Sequence, residues 1–175
     1  IGKADRRFQI LLRGGSEIDF FKDETPWAKS AISPGAKGAQ RIAQARSRYP
    51  KGARHEVQSV AMIEKHLDFV RTRANDVDLV LHLVASHHGY CRPFAPAVED
   101  REPIDVALPR HTSQTFGQID FGAVSSRNLL HQLDAPLADR FWCLVERYGW
   151  LELCWLEAIL RLADHRASEA AQEGP

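Results

Sequence analysis

Three histidines and one aspartate carry the clearest chemistry in this 175-residue chain: His55, the adjacent pair His87-His88, and Asp164. Imidazole nitrogens and a carboxylate brought together by packing match the ligand preferences of Zn, Fe, Ni, Co or Mn. His55 stands in Arg54-His55-Glu56 at the start of an expected helix, and His87-His88 closes an apolar run just before Gly89. Adjacent residues on a regular helix point about 100° apart. The two imidazoles can therefore share an ion only where the helix ends and the chain turns, an end that Gly89 supplies. Asp164 follows Leu151–Ala163, in which ten of thirteen residues are apolar and only Glu152, Glu157 and Arg161 are not. Polar groups at the ends of buried helices are costly unless paired, so these residues are either hydrogen-bonded or bound to something. Plainer readings stand beside the metal one. The histidine pair can be a hydrogen-bonded helix end, and Asp164 can pair with Arg161 or Arg166. His66, His82, His111 and His131 read as capping or surface residues.

The elements that must position these groups are helical. Phe8, Leu11 and Leu12 predict a helix over Ala4–Leu12, ended by Gly14-Gly15. No N-cap stands in front of it and no methionine precedes Ile1, which suggests a chain that begins inside a larger polypeptide. Ser16–Ser33 reads as loop or short helix, and Gly38–Tyr49 as a helix. His55–Arg73 has clear helical periodicity. Asn75 and Asp76 end it and cap the next segment, Val77–Ser86. That run is apolar nearly all round, as is Leu151–Ala163, which marks both as central helices. Residues 89–122 hold Pro93, Pro96, Pro103 and Pro109 and read as a long loop, of the kind usually functional or mobile. Ser126–Leu133, Ala135–Tyr148 and Trp150–Glu169 complete an all-α domain of about six or seven helices, with a frayed tail.

Composition bounds the function. With 23 Lys+Arg against 23 Asp+Glu and 44% hydrophobic residues, the chain is neutral and globular rather than disordered. Zero net charge excludes binding of polyanions by bulk charge. Local charge is different: residues 25–55 carry seven basic residues (Lys29, Lys37, Arg41, Arg46, Arg48, Lys51 and Arg54) and no acid. This is either a solvated face or a groove that tracks phosphates toward His55. Arg92 is a second candidate phosphate contact, and Trp27, Tyr49, Tyr90 and Phe94 are candidate stacking aromatics. Three cysteines without C-x-x-C spacing exclude a disulfide framework and fit a reduced, cytoplasmic protein. No apolar run approaches the roughly 18 residues of a membrane span, and no signal peptide is visible.

Gly2-Lys3, Arg54-His55-Glu56, His87-His88-Gly89 and Ala163-Asp164-x-x-Ala167-Ser168 occur in the order found in HD-superfamily metal-dependent phosphohydrolases. Across essentially the whole chain, the sequence most closely resembles the HD nuclease domain of the helicase-nuclease of type I CRISPR systems. The resemblance implies an HD-domain helical bundle over residues 1–175, N-terminally incomplete, with the signature His-Asp pair just ahead of Ile1. It also implies two divalent transition-metal ions (Mn, Ni, Co or Fe, with Mg a further candidate), the ligands present here being His55, His87, His88 and Asp164. Such ion pairs polarise a phosphodiester and acidify water. Lys3 would place its charge beside the scissile phosphate, and Arg54, Arg92 and Ser168 would contact nucleic acid. His165 stands where many relatives place Trp and is expected to pack or line the site. The implied partners are single-stranded DNA, a helicase domain in the same or another chain, and the CRISPR RNA-guided surveillance complex. The alternatives are a phosphohydrolase acting on nucleotides or cyclic dinucleotides, and a catalytically incomplete helical docking module.

Overall fold

The computed structural model describes residues 1–23, 25–108, 121–127, 129–131 and 136–173, with the backbone alone at 129, 168 and 171–173. The fold is all-α. A 3-10 turn at Gly2–Ala4 leads into α1 (Arg6–Leu12), α2 (Glu17–Lys22), α3 (Lys37–Ser47) and α4 (His55–Glu64). They are followed by α5 (Leu67–Arg71), α6 (Val77–Ser86), α7 (Leu137–Tyr148) and α8 (Trp150–Glu173). Asp5 caps α1, its side chain accepting from the backbone N–H groups of Arg7 and Phe8. The first helix is therefore capped within this chain, against expectation. The helix expected over 55–73 is two helices. His66 leaves helical geometry (φ −130°, ψ 37°), and its ring meets the edge of Phe121 at 5.2 Å.

Asp76 caps α6 as expected, accepting from the Leu79 N–H at 3.0 Å. Within the stretch read as loop, β1 (Asp105–Val106) pairs antiparallel with β2 (Val124–Ser125). Residues 109–120, which include His111, lie outside the described residues, as do 128 and 132–135 of the expected Ser126–Leu133 helix. A 3-10 turn at Leu129–His131 is what is described there. The tail expected to fray continues α8 to Glu173.

The central pair is α4 and α6, not α6 and α8. Val57, Val60 and Met62 of α4 are fully buried, and Val57 and Val60 share a core with Leu81, Ala85, Cys91, Leu130 and Leu137. The apolar residues of α8 surround the helix, but among the described residues one side alone is packed. Leu153 packs with Phe141 and Leu144, whereas Leu151, Trp155, Ile159 and Leu162 stay exposed. Gly2 packs closest of all on α4. A Cβ there would stand 1.9 Å from the His55 carbonyl oxygen, so only glycine fits. Its N–H donates to Ser59 Oγ at 2.8 Å, and Ser59 Oγ donates to the His55 carbonyl at 2.9 Å.

A buried ionic network ties this N-terminal layer to the loop. Arg7 donates to both carboxylate oxygens of Asp100, at 3.0 and 2.9 Å, and to Asp5. Burial alone would raise the Asp100 carboxyl, but hydrogen bonds from Arg7 and Ser126 outweigh it and hold the carboxyl below its ordinary value. Asp100→Ala is expected to cost about 3 kcal/mol at neutral pH, because it strips a partner from a buried guanidinium. A carboxylate depressed on folding contributes stability above its unfolded pKa and loses it as pH falls through the folded value. The gap in urea midpoint between wild type and variant should accordingly shrink as pH is lowered toward 3. A gap that stays constant from pH 7 to pH 3 would contradict this ionic role.

Candidate metal centre

Two helix ends converge on one point, the start of α4 and the end of α6. His55 opens α4, where Arg54 holds an extended N-cap conformation and the imidazole occupies the first turn. His87 is the C-cap of α6, and the chain then turns through Gly89 (φ 86°) and Cys91 (φ 61°). The Gly89 N–H donates back to Ser86 O, closing the helix end. This turn does what adjacent histidines require. The His87 and His88 rings lie 4.1 Å apart between centroids, and the His55 ring lies 5.9 and 5.2 Å from them. One nitrogen from each of the three lies within 4.8 Å of the others.

The protonation pattern suits ligation. His87 Nδ1 lies 2.7 Å from the Val84 carbonyl, which can only accept, so Nδ1 carries the proton and Nε2 keeps its lone pair. His55 Nδ1 lies 3.1 Å from Glu56 Oε2, and Glu56 is 1% exposed. That contact favours the proton on Nδ1 and leaves Nε2, which is buried and has no hydrogen-bond partner among the described residues. Burial, reinforced by Lys3, His88 and His87, pushes the His55 pKa down to about 2. Burial and His87 lower His88 as well, against the opposing pull of Glu56 and Asp164. Convergent imidazoles with an orphaned buried nitrogen fit a divalent transition ion.

A cavity of about 680 Å³ adjoins the histidines. Lys3, His55, His87 and Asp164 line one part of it, and Ile63, Val70, Val80, Val84, Phe121 and Leu160 another. Asp164 is exposed at this rim rather than within the histidine group. The Lys3 ammonium donates to the Ala28 carbonyl at 3.0 Å. The Arg54 guanidinium lies 3.3 Å above the Tyr90 ring, tying the start of α4 to the turn after His88. Arg92 contacts the buried carboxylate of Glu157. The side chain of Ser168 lies outside the described residues. His165 is exposed on α8 and does not line the cavity, against expectation.

Among the candidate stacking aromatics, Tyr49 is buried against Phe8, whereas Trp27, Tyr90 and Phe94 are exposed. Of the basic run, all but Arg54 are exposed. His82 and His131, read as surface or capping residues, are buried: His82 binds Glu157, and His131 Nδ1 lies 3.1 Å from the Pro96 carbonyl. Cys91 is also buried, and burial with Glu56 pushes its thiol up to about 12, which excludes it as a thiolate nucleophile near neutral pH. Sequence reasoning gave no role to Glu56 or Glu157. Glu157 had one signal, an acid set among the apolar residues of Leu151–Ala163, whereas Glu56 stands in the first turn of α4, where an acid is ordinary.

Compared with family models, with curated proteins and with solved structures, the chain matches none.

A histidine held below its unfolded pKa binds fewer protons folded than unfolded. The metal-free protein should therefore lose stability as pH falls below about 6.5. Urea midpoints at pH 7.5 and 5.0 in chelator measure this, and His55→Gln should reduce the difference. Equal pH sensitivity of wild type and variant would contradict the burial argument. Glu56→Ala should weaken metal binding about 10- to 100-fold, measured by competition with a chelator.

Proposed function

We propose that the chain is a metal-dependent phosphohydrolase domain that cuts phosphodiester bonds of single-stranded DNA, working with a helicase in type I CRISPR interference. The observation that carries this reading is the convergence of the His55, His87 and His88 nitrogens within 4.8 Å. An ion held there supplies Lewis acidity toward a phosphate oxygen and acidifies water near neutral pH.

The chain's own groups divide the remaining work. Burial and its charged neighbours keep His55 neutral over the working pH range, and the Val84 carbonyl fixes the His87 ring. Lys3 spends one N–H on Ala28 O and has two left to meet a phosphate oxygen at the cavity wall. Asp164 sits at the same rim as a further carboxylate donor. The exposed basic residues between Lys29 and Lys51 supply long-range attraction for a polyanionic strand. The apolar face of α8 supports a domain that works against another protein surface. Among the described residues no helix is long and apolar enough to cross a membrane.

One observation favours the second reading, a nucleotide phosphohydrolase: the cavity beside the histidines is of a size that takes a small ligand. Labelled single-stranded DNA and a panel of nucleotides and cyclic dinucleotides, each with Mn, Ni, Co or Fe, separate the two. Cleavage of DNA alone is expected of the full-length protein. His88→Ala should reduce it to background while DNA binding stays nearly intact, since phosphate contacts elsewhere position the strand. Turnover of a nucleotide in place of DNA would shift the assignment to the second reading. Loss of DNA binding in parallel with cleavage would contradict separate roles for histidines and basic residues.

A further inference from the structure

Glu157 is a carboxylate in the middle of α8 with 2% of its surface exposed. Its Oε1 lies 2.6 Å from Nε2 of His82, which is equally buried. Its Oε2 lies 2.5 Å from Arg92 Nη2 but lacks hydrogen-bond geometry there, so that contact acts through charge. A buried carboxylate of this kind is a poor way to gain stability, since well-packed apolar residues do as well or better. Leu153, one turn earlier, shows how the same helix face packs without charge. What the carboxylate adds is a directional hold on two particular segments.

Those segments flank the histidine pair. His82 stands on α6 little more than a turn before His87, and Arg92 lies in the turn just after His88. Arg161 of α8 also comes close to this turn, its Nη1 lying 3.7 Å from where a Cβ on Gly89 would stand. Glu157 and Asp164 are about two helical turns apart on one face of α8. The helix that grips both sides of the histidine pair thus also carries the carboxylate at the cavity rim.

We infer that Glu157 is a positioning residue of the metal centre: through His82 and Arg92 it sets where His87 and His88 stand relative to α8 and Asp164. The inference rests on the metal reading above. Its effect reaches the ion only through the histidines, so it should alter ligand geometry as well as affinity.

Cobalt(II) titration in competition with a chelator, with the visible spectrum recorded at saturation, tests it. Glu157→Gln should bind Co²⁺ about tenfold more weakly and shift the ligand-field bands. Leu153→Ala, which removes buried packing from the same helix, should lower the melting temperature without moving either readout. Arg92→Gln should shift the bands in the same direction as Glu157→Gln but less, and it decides the matter if the Glu157 variant does not fold. Wild-type affinity and spectrum in Glu157→Gln, or in Arg92→Gln where that variant decides, would overturn the inference, as would an equal shift in Leu153→Ala. A wild-type protein that binds no Co²⁺ would remove the metal reading itself, an outcome read before any variant is made.

Discussion

The structure depends on burying polar groups at the first turn of α4. Glu56 is 1% exposed and neither of its oxygens makes a hydrogen bond among the described residues. An uncompensated buried carboxylate is expensive, so its surroundings must offset it. The contact with His55 Nδ1 and the positive end of the α4 dipole both act in that direction. Burial holds His55 neutral, and the Glu56 contact favours the tautomer whose Nε2 lone pair is free. The same burial that costs stability prepares a ligand.

Other elements are arranged around that turn. Gly2 approaches so closely that a methyl group would collide with the His55 carbonyl, and Ser59 links the two backbones. This closeness puts Lys3 on the cavity wall. On the opposite side, α6 ends just where its last residues can face His55, and Arg54 stacked on Tyr90 ties the following turn to the start of α4. The central helices thus serve to bring their ends together. The core formed by Val57, Val60, Leu81 and Ala85 sets the separation of those ends.

Much of this was legible in the sequence. The helical class, the capping of α6 by Asp76 and the turn at Gly89 all follow from local patterns that the structure keeps. What was not legible depends on tertiary context. Leu151–Ala163 is apolar enough to be central, yet its helix lies at the edge with Trp155 exposed, because composition cannot say which side of a helix has a neighbour. His82 looked like a surface residue because its partner, Glu157, is supplied by a distant helix. The helix expected over 55–73 breaks at His66, where the ring meets Phe121, again a contact far along the chain. The three histidines were identified as candidates from residue type, but that two of them have their tautomers set by Val84 O and Glu56 needed coordinates.

The proposed function stands or falls on ligation of one ion by His55, His87 and His88 together. X-ray absorption of the cobalt-loaded protein tests it most directly, because imidazole rings give outer-shell scattering that carboxylates and water do not. Ligation by all three histidines predicts a signal of about three imidazoles, falling to about one when His87 and His88 are replaced by alanine. A spectrum of oxygen ligands alone, unchanged by those substitutions, would contradict it.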